Sequence, residues 1–408
     1  MSGADVVATG LGATTPLGDD VATTWQGLLD GRGGVSTITA DWPTGYDLPV
    51  SIAAQLAVEP AGKLKYSELK WLDRCEQLAM IAAREAWSDA GLGAGAVDPR
   101  RLAVVIGTGI GCVHTLLSQH EALKSGYRSV MPQFIPMVMP NGPAAHVGLE
   151  LGARAGVHAP MSACASGAEA LAWAAHLIRS DIADVVVAGG AESCISPVIM
   201  AGFARAGAMC TRNDDPASAS RPFDIYRSGF VLGEGAGVMI LERADFAVAR
   251  GARVYGRLAG VGVNNDAHHI TAPTPDSSGQ IDAVDRALRD AGLTATDIGH
   301  VSAHATSTRI GDAIEAATIM RAIGDHAVVT APKGALGHLL GASGAVEAIA
   351  TVLSVRHGLV PPTLNLHRVD PAVPLDVVSG KPREIVLDAA VTQSFGFGGH
   401  NIVLVFTS

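Results

Sequence analysis

Two short runs of this chain occur twice, in the same order. Asp89-Ala90-Gly91-Leu92 closes a helical pattern that begins near Ala82; an apolar run and Gly107-Thr108-Gly109 follow. In the second half, Asp290-Ala291-Gly292-Leu293 closes a pattern from Ala283; an apolar run and His304-Ala305-Thr306 follow. Ala165-Ser166-Gly167-Ala168 returns in the same way as Ala342-Ser343-Gly344-Ala345. Alanine and glycine are common here, so one echo would carry little weight, but two in the same order predict a duplicated fold. The halves are expected at residues 1–253 and 254–408. Equivalent strand ends would then face one another across a pseudo-twofold, and reactive groups from each half could meet.

The pattern between the echoes predicts α/β architecture. Val6–Gly10, Leu102–Ile106, Asp184–Gly190 and Gly237–Leu241 are apolar runs bounded by glycine or polar residues, as buried strands are. Ser67–Ala90 reads as one helix that stops at Gly91, and another helix ends near Gly358. Buried strands alternating with helices imply a largely parallel sheet. The chain closes as a hairpin, in along Ala390–Thr392, turning through Phe395–Gly399, and out along Ile402–Phe406.

Composition excludes several classes. The 408 residues are 48% hydrophobic, enough for a large core. A formal charge of −10 argues against nucleic-acid binding, which needs a basic face. The five cysteines are odd in number and widely spaced, with no C-x-x-C pair, so neither a disulfide framework nor a metal site is expected and a reducing cytoplasm fits. Met1–Thr15 lacks the basic start and apolar core of a secretory leader. No apolar stretch is long enough to cross a bilayer, so no membrane partner is expected.

The chemistry centres on Ser162-Ala163-Cys164-Ala165-Ser166-Gly167. A helical pattern with Leu171, Ala174 and Ile178 begins directly after it. Cys164 therefore falls at a helix N-terminus, where free N–H groups and the macrodipole favour a thiolate. Small neighbours leave room for a substrate carbonyl. A lone cysteine is just as readily a buried structural residue, and the local pattern leaves both readings open. Three polar stations stand in the second half: His304, Lys333 and His338. Each histidine alone is more often structural than catalytic. Lys333 directly after an apolar run is less ordinary, because lysine is rarely buried without a partner. A cation near the thiol would favour the thiolate, and imidazole N–H groups would stabilise an enolate or oxyanion. The Gly398-Gly399 turn lets backbone N–H groups approach a substrate. There is no G-x-S-x-G elbow, P-loop or H-E-x-x-H.

Over nearly its whole length the chain resembles the elongating β-ketoacyl-acyl carrier protein synthases, of KAS I/KAS II type in the thiolase-fold superfamily. The resemblance rests on Ser162–Gly167, Thr211–Pro216, Ser220-Arg221-Pro222-Phe223-Asp224, Gly229–Gly235, His304–Thr308, Lys333 with Gly337-His338, Pro361–Asn365 and Ser394–Asn401. The Ala331-Pro332-Lys333 and Gly399-His400-Asn401 variants look most like the actinobacterial branch. The resemblance implies a duplicated five-layered αβαβα thiolase fold with mixed sheets.

It also implies roles. Cys164 would carry the acyl chain as a thioester. His304 and His338 would promote decarboxylation of malonyl-carrier protein and stabilise the enolate that attacks it. Lys333 would support the site electrostatically, with Glu315. Backbone N–H groups of Cys164 and Phe397 would form the oxyanion hole, with Phe397 as gatekeeper and Phe395 beside it. Thr306 and Thr308 match positions that hold the pantetheine arm or malonyl group, and Ile110 matches the acyl-pocket wall. Arg205, Arg128, Lys65 and Lys70 would form a basic patch for an acidic carrier protein. No tightly bound cofactor or metal is implied, since the substrates ride on the phosphopantetheine of acyl carrier protein. A homodimer is implied, with a heterodimer beside a chain-length factor as the other arrangement. The sequence departs from the family pattern at Ser302 and Gln393, where Asn is usual, and at Gly334, where Ser is usual. None of these removes a reacting atom.

Three other readings compete. A non-catalytic chain-length factor would lack the nucleophile, whereas Cys164, His304, Lys333 and His338 are all present. A ketosynthase of a type II polyketide pathway would keep the same reacting residues. A thiolase or starter synthase would use a Cys-His-Cys or Cys-His-Asn set, which this chain does not show.

Overall fold

Each echo occupies the same place in one of two matching units of the computed structural model, which describes residues 4–408. Residues 1–3, assigned above to the N-terminal half and to the start of Met1–Thr15, lie outside the described residues. The first unit runs β1 (Val6–Thr14), α1 (Arg74–Asp89), β2 (Leu102–Gly107), β3 (Gly156–His158), α2 (Ser166–Arg179), β4 (Val185–Glu192) and β5 (Gly235–Arg243). The second runs β6 (Gly256–Asn265), α3 (Ser278–Ala291), β7 (His300–Ser302), α4 (Arg309–Ala322), β8 (Val328–Thr330), α5 (Ser343–His357), β9 (Asp376–Val377), β10 (Ala389–Gly396) and β11 (His400–Thr407).

Strand directions repeat with the elements. β2 is parallel to β3 and β4, β4 is antiparallel to β5, and β5 to β1. Likewise β7 is parallel to β8 and β10, β10 is antiparallel to β11, and β11 to β6. Among the described residues the two sets join into one mixed sheet, β9-β8-β7-β10-β11-β6-β1-β5-β4-β2-β3. The joint is slight: β1 meets β6 only at Val7↔Arg257 and Ala8↔Gly256. α2 and α5 pack together between the two halves of the sheet, in a core that takes Leu171 and Ile178 from one and Ile349 and Val352 from the other. α1 covers the outer face of the first half, and α3 and α4 that of the second. These are the five layers of the thiolase fold. Sinking one Leu or Ile into such a core is worth about 1.5–3 kcal/mol.

The Asp-Ala-Gly-Leu echo has a physical cause. Asp89 Oδ2 accepts the Leu11 N–H of β1 at 3.0 Å, and Asp290 Oδ2 accepts the Val261 N–H of β6 at 2.9 Å. Each aspartate ties the end of its helix to the first strand of its unit. Gly91 and Gly292 then close the helices at φ 65° and 70°, where a side chain would be strained. Glycine also sets the helix–strand distance. A Cβ at Gly12 would lie 2.0 Å from Ala82 O, and one at Gly262 would lie 1.9 Å from Ala283 O.

The single helix expected over 67–90 is broken. A short helix covers Tyr66–Trp71, Leu72 turns extended, and α1 begins at Arg74. Asp73 accepts the Cys75 N–H, and Glu76 reaches back to the Asp73 N–H. This capping box is a helix start written in the sequence as Asp-Arg-Cys-Glu, inside a run whose apolar period continues across it. The closing hairpin is tighter than expected: Phe395 and Gly396 still belong to β10, and the turn is Phe397–Gly399.

Candidate active site

Cys164 is presented by a strained turn. Ala163 sits at φ 51°, and Ala163–Ala165 form one tight turn before α2 starts at Ser166. A left-handed non-glycine residue costs on the order of 1–3 kcal/mol. Ser166 offsets part of this. Its hydroxyl accepts the Ser162 N–H at 3.0 Å and lies 2.7 Å from Ala163 O and 3.1 Å from Thr108 O. The second half repeats the turn: Leu340 has φ 44°, Leu340–Ala342 is the tight turn, and α5 starts at Ser343. Gly341 thus stands where the first half has Cys164. The Ala-Ser-Gly-Ala echo is where the twin helices touch, for a Cβ at Gly167 would lie 2.8 Å from Gly341 O and one at Gly344 would lie 2.7 Å from Ala168 N.

The second half supplies the other polar groups from its strand ends. His304 follows β7, with Glu315 of α4 accepting its N–H at 2.7 Å and that of Ala305 at 2.6 Å. Lys333 opens the short helix Lys333–Leu336 after β8, and His338 follows Gly337. The His304 and His338 rings stand edge to face, centroids 5.4 Å apart at 87°. Phe230 stands perpendicular to His338 at 5.4 Å, and Phe203 perpendicular to Phe230 at 5.3 Å.

A cavity of about 500 Å³ joins these groups. Cys164, His304, His338, Phe395, Phe397, Thr306, Thr308 and Ile110 all line it, as does Glu315. Lys333 stands behind: its Nζ is 3.3 Å from His304 Nδ1 and 2.5 Å from Glu347 Oε1. Here the structure corrects an expectation. The partner of Lys333 is Glu347 of α5, while Glu315 is engaged by backbone N–H groups of the His304 loop. Thr306 and Thr308 hydroxyls pair at 3.1 Å. The end of β10 packs over the cysteine turn so closely that a Cβ at Gly396 would lie 2.4 Å from Ser162 O. The backbone N–H groups of Phe397 and of Cys164 itself both favour a thiolate at Cys164.

Burial governs the protonation states. It pushes the Cys164 thiol up to about 11, against the opposing pull of Lys333 and the two N–H groups. The thiolate expected from helix dipole and cation is therefore not the resting form, because desolvation outweighs both. Burial, with Lys333 adding to it, holds His304 and His338 well below the ordinary imidazole value, so both are neutral. Burial raises Glu347 to about 7 and Glu315 to about 8.

The four residues expected to form a basic patch are all exposed. Arg205 ends a helix directly before Ala206–Ala208, which line the cavity. Arg128, Lys65 and Lys70 are exposed and none lines it. The two departures from Asn are buried: Ser302 Oγ and both polar atoms of the Gln393 amide lack a hydrogen-bond partner among the described residues. Gly334 sits where a Cβ would lie 2.8 Å from Leu364 O.

Sequence reasoning missed Glu347, Glu192 and Ser343, whose hydroxyl is 3.1 Å from His338 Nδ1. Glu347 did leave a signal, as a lone carboxylate in a helix otherwise apolar or small from Ser343 to Val355. Among the described residues no cluster of His, Cys, Asp and Glu is set to hold a metal ion, and no helix is long and apolar enough to cross a membrane.

Residues 4–247 match the family description Beta-ketoacyl synthase, N-terminal domain, and residues 255–367 match Beta-ketoacyl synthase, C-terminal domain. The chain is 44% identical over 404 residues to 3-oxoacyl-[acyl-carrier-protein] synthase 2 of Mycobacterium tuberculosis, covering 98% of this chain and 96% of that protein. It is 39% identical over 411 residues to the protein of the same name from Vibrio harveyi, covering 100% and 99%. A β-ketoacyl synthase from Burkholderia phymatum has the same fold at TM-score 0.92 and 35% identity, covering 99% of both chains. A type II polyketide ketosynthase solved with its acyl-carrier protein reaches TM-score 0.92 at 30% identity, covering 100% and 99%.

Proposed function

The chain belongs to the β-ketoacyl synthase family, and from that premise we propose how its own residues carry the family's condensation. It is a β-ketoacyl-acyl carrier protein synthase, an acyltransferase that joins an acyl-enzyme thioester to malonyl-acyl carrier protein with loss of CO₂, as in fatty-acid elongation. The observation that carries the assignment of roles is the shared cavity, with Cys164 from one half and His304 and His338 from the other.

In the first half-reaction the Cys164 sulfur attacks the acyl thioester, the bond to the pantetheine sulfur breaks, and the thiol proton leaves with that sulfur. The N–H groups of Cys164 and Phe397 receive the developing oxyanion. A neutral, protonated resting thiol suits this exchange, since no charge is buried until the carbonyl is in place.

In the second half-reaction malonyl-carrier protein loses CO₂ and the thioester oxygen becomes an enolate. The Lys333 ammonium donates to His304 Nδ1, which keeps the ring proton on Nε2, free to donate to that oxygen. Ser343 fixes Nδ1 of His338 in the same way. Two neutral donors in a dry site stabilise the enolate without adding a buried charge. The enolate carbon then attacks acyl-Cys164, the C–S bond breaks, and the released thiolate takes up a proton. Thr306 and Thr308 hold the arm, Ile110 walls the acyl side, Phe397 with Phe395 gates entry, and Glu315 holds the His304 loop.

The reading includes a cytoplasmic enzyme with no tightly bound cofactor, its substrates carried on acyl carrier protein. Arg205, next in the chain to the cavity-lining run Ala206–Ala208, is the first of the four basic residues to meet that partner. The boundary between the halves falls after residue 253, between β5 and β6. A homodimer is supported by the open edge of the sheet at β3, where Val157, Met161 and Trp173 are exposed at 41, 48 and 42%. The ishigamide ketosynthase/chain length factor structure shares the fold at 32% identity, below the 39 and 44% of the relatives named above, so pairing with a chain-length factor is not favoured. Mass spectrometry of Cys164 after incubation with a mixed acyl-carrier-protein pool tests the assignment. An acyl adduct on Cys164 is expected; an unmodified Cys164 alongside product formation would overturn it.

A further inference from the structure

Glu192 ends β4 and is fully buried, yet no step above uses it. Its carboxylate is surrounded by donors. Oε2 accepts the N–H of Gly109 at 2.7 Å and of Gly341 at 3.1 Å. Oε1 accepts the Gly111 N–H and the Thr108 hydroxyl, both at 3.1 Å, and Ile110 N–H lies 3.2 Å from each oxygen. So many donors around one carboxylate make a built anion site whose anion is the protein's own side chain.

The duplication says which site this is. Gly341 is the twin of Cys164, in a turn likewise opened by a left-handed residue. β4 is the twin of β10. At the reacting turn, the chain just beyond β10 supplies Phe397, whose N–H, with that of Cys164, favours the thiolate. At the twin turn, the end of β4 brings a carboxylate to the N–H of Gly341. Gly109, Ile110 and Leu340, which flank this carboxylate, line the substrate cavity together with Cys164. Gly341 and Gly109 meet so closely that a Cβ on Gly341 would lie 2.3 Å from Gly109 N and 2.9 Å from Glu192 Oε2.

We propose that Glu192 is a positioning residue: it fills the second half's copy of the oxyanion hole and thereby fixes Ile110 and Leu340 as the acyl side of the cavity. It touches no substrate. Its effect therefore falls on acyl transfer to Cys164, while malonyl decarboxylation, which depends on His304 and His338, is left nearly intact. The inference rests on the function proposed above and deepens it.

Glu192→Gln puts an amide NH₂ donor against the same N–H groups, and at least one pair becomes donor to donor. We expect the KM for hexadecanoyl-carrier protein in acyl transfer to rise about tenfold, as for one lost charge-assisted hydrogen bond. Malonyl-carrier protein decarboxylation, measured in a Cys164→Gln background, should stay within about twofold of that background, as expected when only ground-state acyl binding is lost. Equal losses in both half-reactions, or no change in either, would overturn the inference. If Glu192→Gln does not fold, it stands or falls on Thr108→Val, which removes one neutral donor of similar shape. That variant should show the same split at about two- to threefold. Wild-type protein that forms no acyl-Cys164 would sink the proposed function itself. Wild-type acylation without the split in the variants would sink only the role of Glu192.

Discussion

Lys333 and Glu347 form an ion pair at 2.5 Å in which both side chains are only 1% exposed. Such a pair is held for what it does rather than for net stability, because desolvation consumes most of the Coulomb gain. Here it holds an ammonium against His304 Nδ1. Removing Glu347 leaves that ammonium buried without a counter-charge. Glu347→Ala is therefore expected to lose about 3–5 kcal/mol of stability by denaturant titration. Glu347→Gln should fold better and still slow CO₂ release from malonyl-carrier protein. Glu347→Ala with unchanged stability would show that Lys333 finds another partner.

The raised thiol of Cys164 sets an alkylation profile. A thiol at about 11 exposes more thiolate with each step in pH up to that value. Iodoacetamide labelling of the Cys164 peptide should climb through pH 8, 9 and 10 without levelling. A plateau near pH 7 would mean that Lys333 and the N–H groups outweigh burial.

The two half-reactions should separate by residue. Cys164→Ala is expected to abolish acyl transfer and condensation, and Cys164→Gln to keep malonyl decarboxylation. In that Gln background, His304→Ala and His338→Ala should each lower decarboxylation by roughly 10²–10³, the usual loss for one donor to a developing oxyanion. Normal decarboxylation in both would contradict the roles given to the imidazoles.

Glu76 offers a pH test away from the cavity. Burial raises its carboxyl to about 8 from an ordinary 4.5. The folded state then holds a proton that the unfolded chain releases, so this group's contribution is intact below about 4.5 and is lost as pH rises through about 8. Glu76→Gln keeps an acceptor for the Asp73 N–H and cannot ionise. Its unfolding free energy relative to wild type, by denaturant titration, should rise between pH 5 and pH 9, at about 1.4 kcal/mol for each unit of pKa difference removed. A constant offset would place the ordinary carboxyl value in the folded state.

The sequence by itself determined the duplicated α/β plan, because its cause is local and repeated. An aspartate at a helix end, a glycine that can turn left-handed, and glycines under alanines must recur wherever the same helix is laid on the same strand. It also marked Cys164, His304, Lys333 and His338, which the fold gathers around one cavity, since a lysine after an apolar run is anomalous by itself. Tertiary structure alone decided which acid pairs with Lys333. Glu315 and Glu347 are both plausible by type, and only the packing of α5 against the short Lys333 helix brings one of them to 2.5 Å. It also decided the state of the thiol. A helix N-terminus and a cation can be read along the chain, but the loss of water that outweighs them depends on everything packed around Cys164 at once.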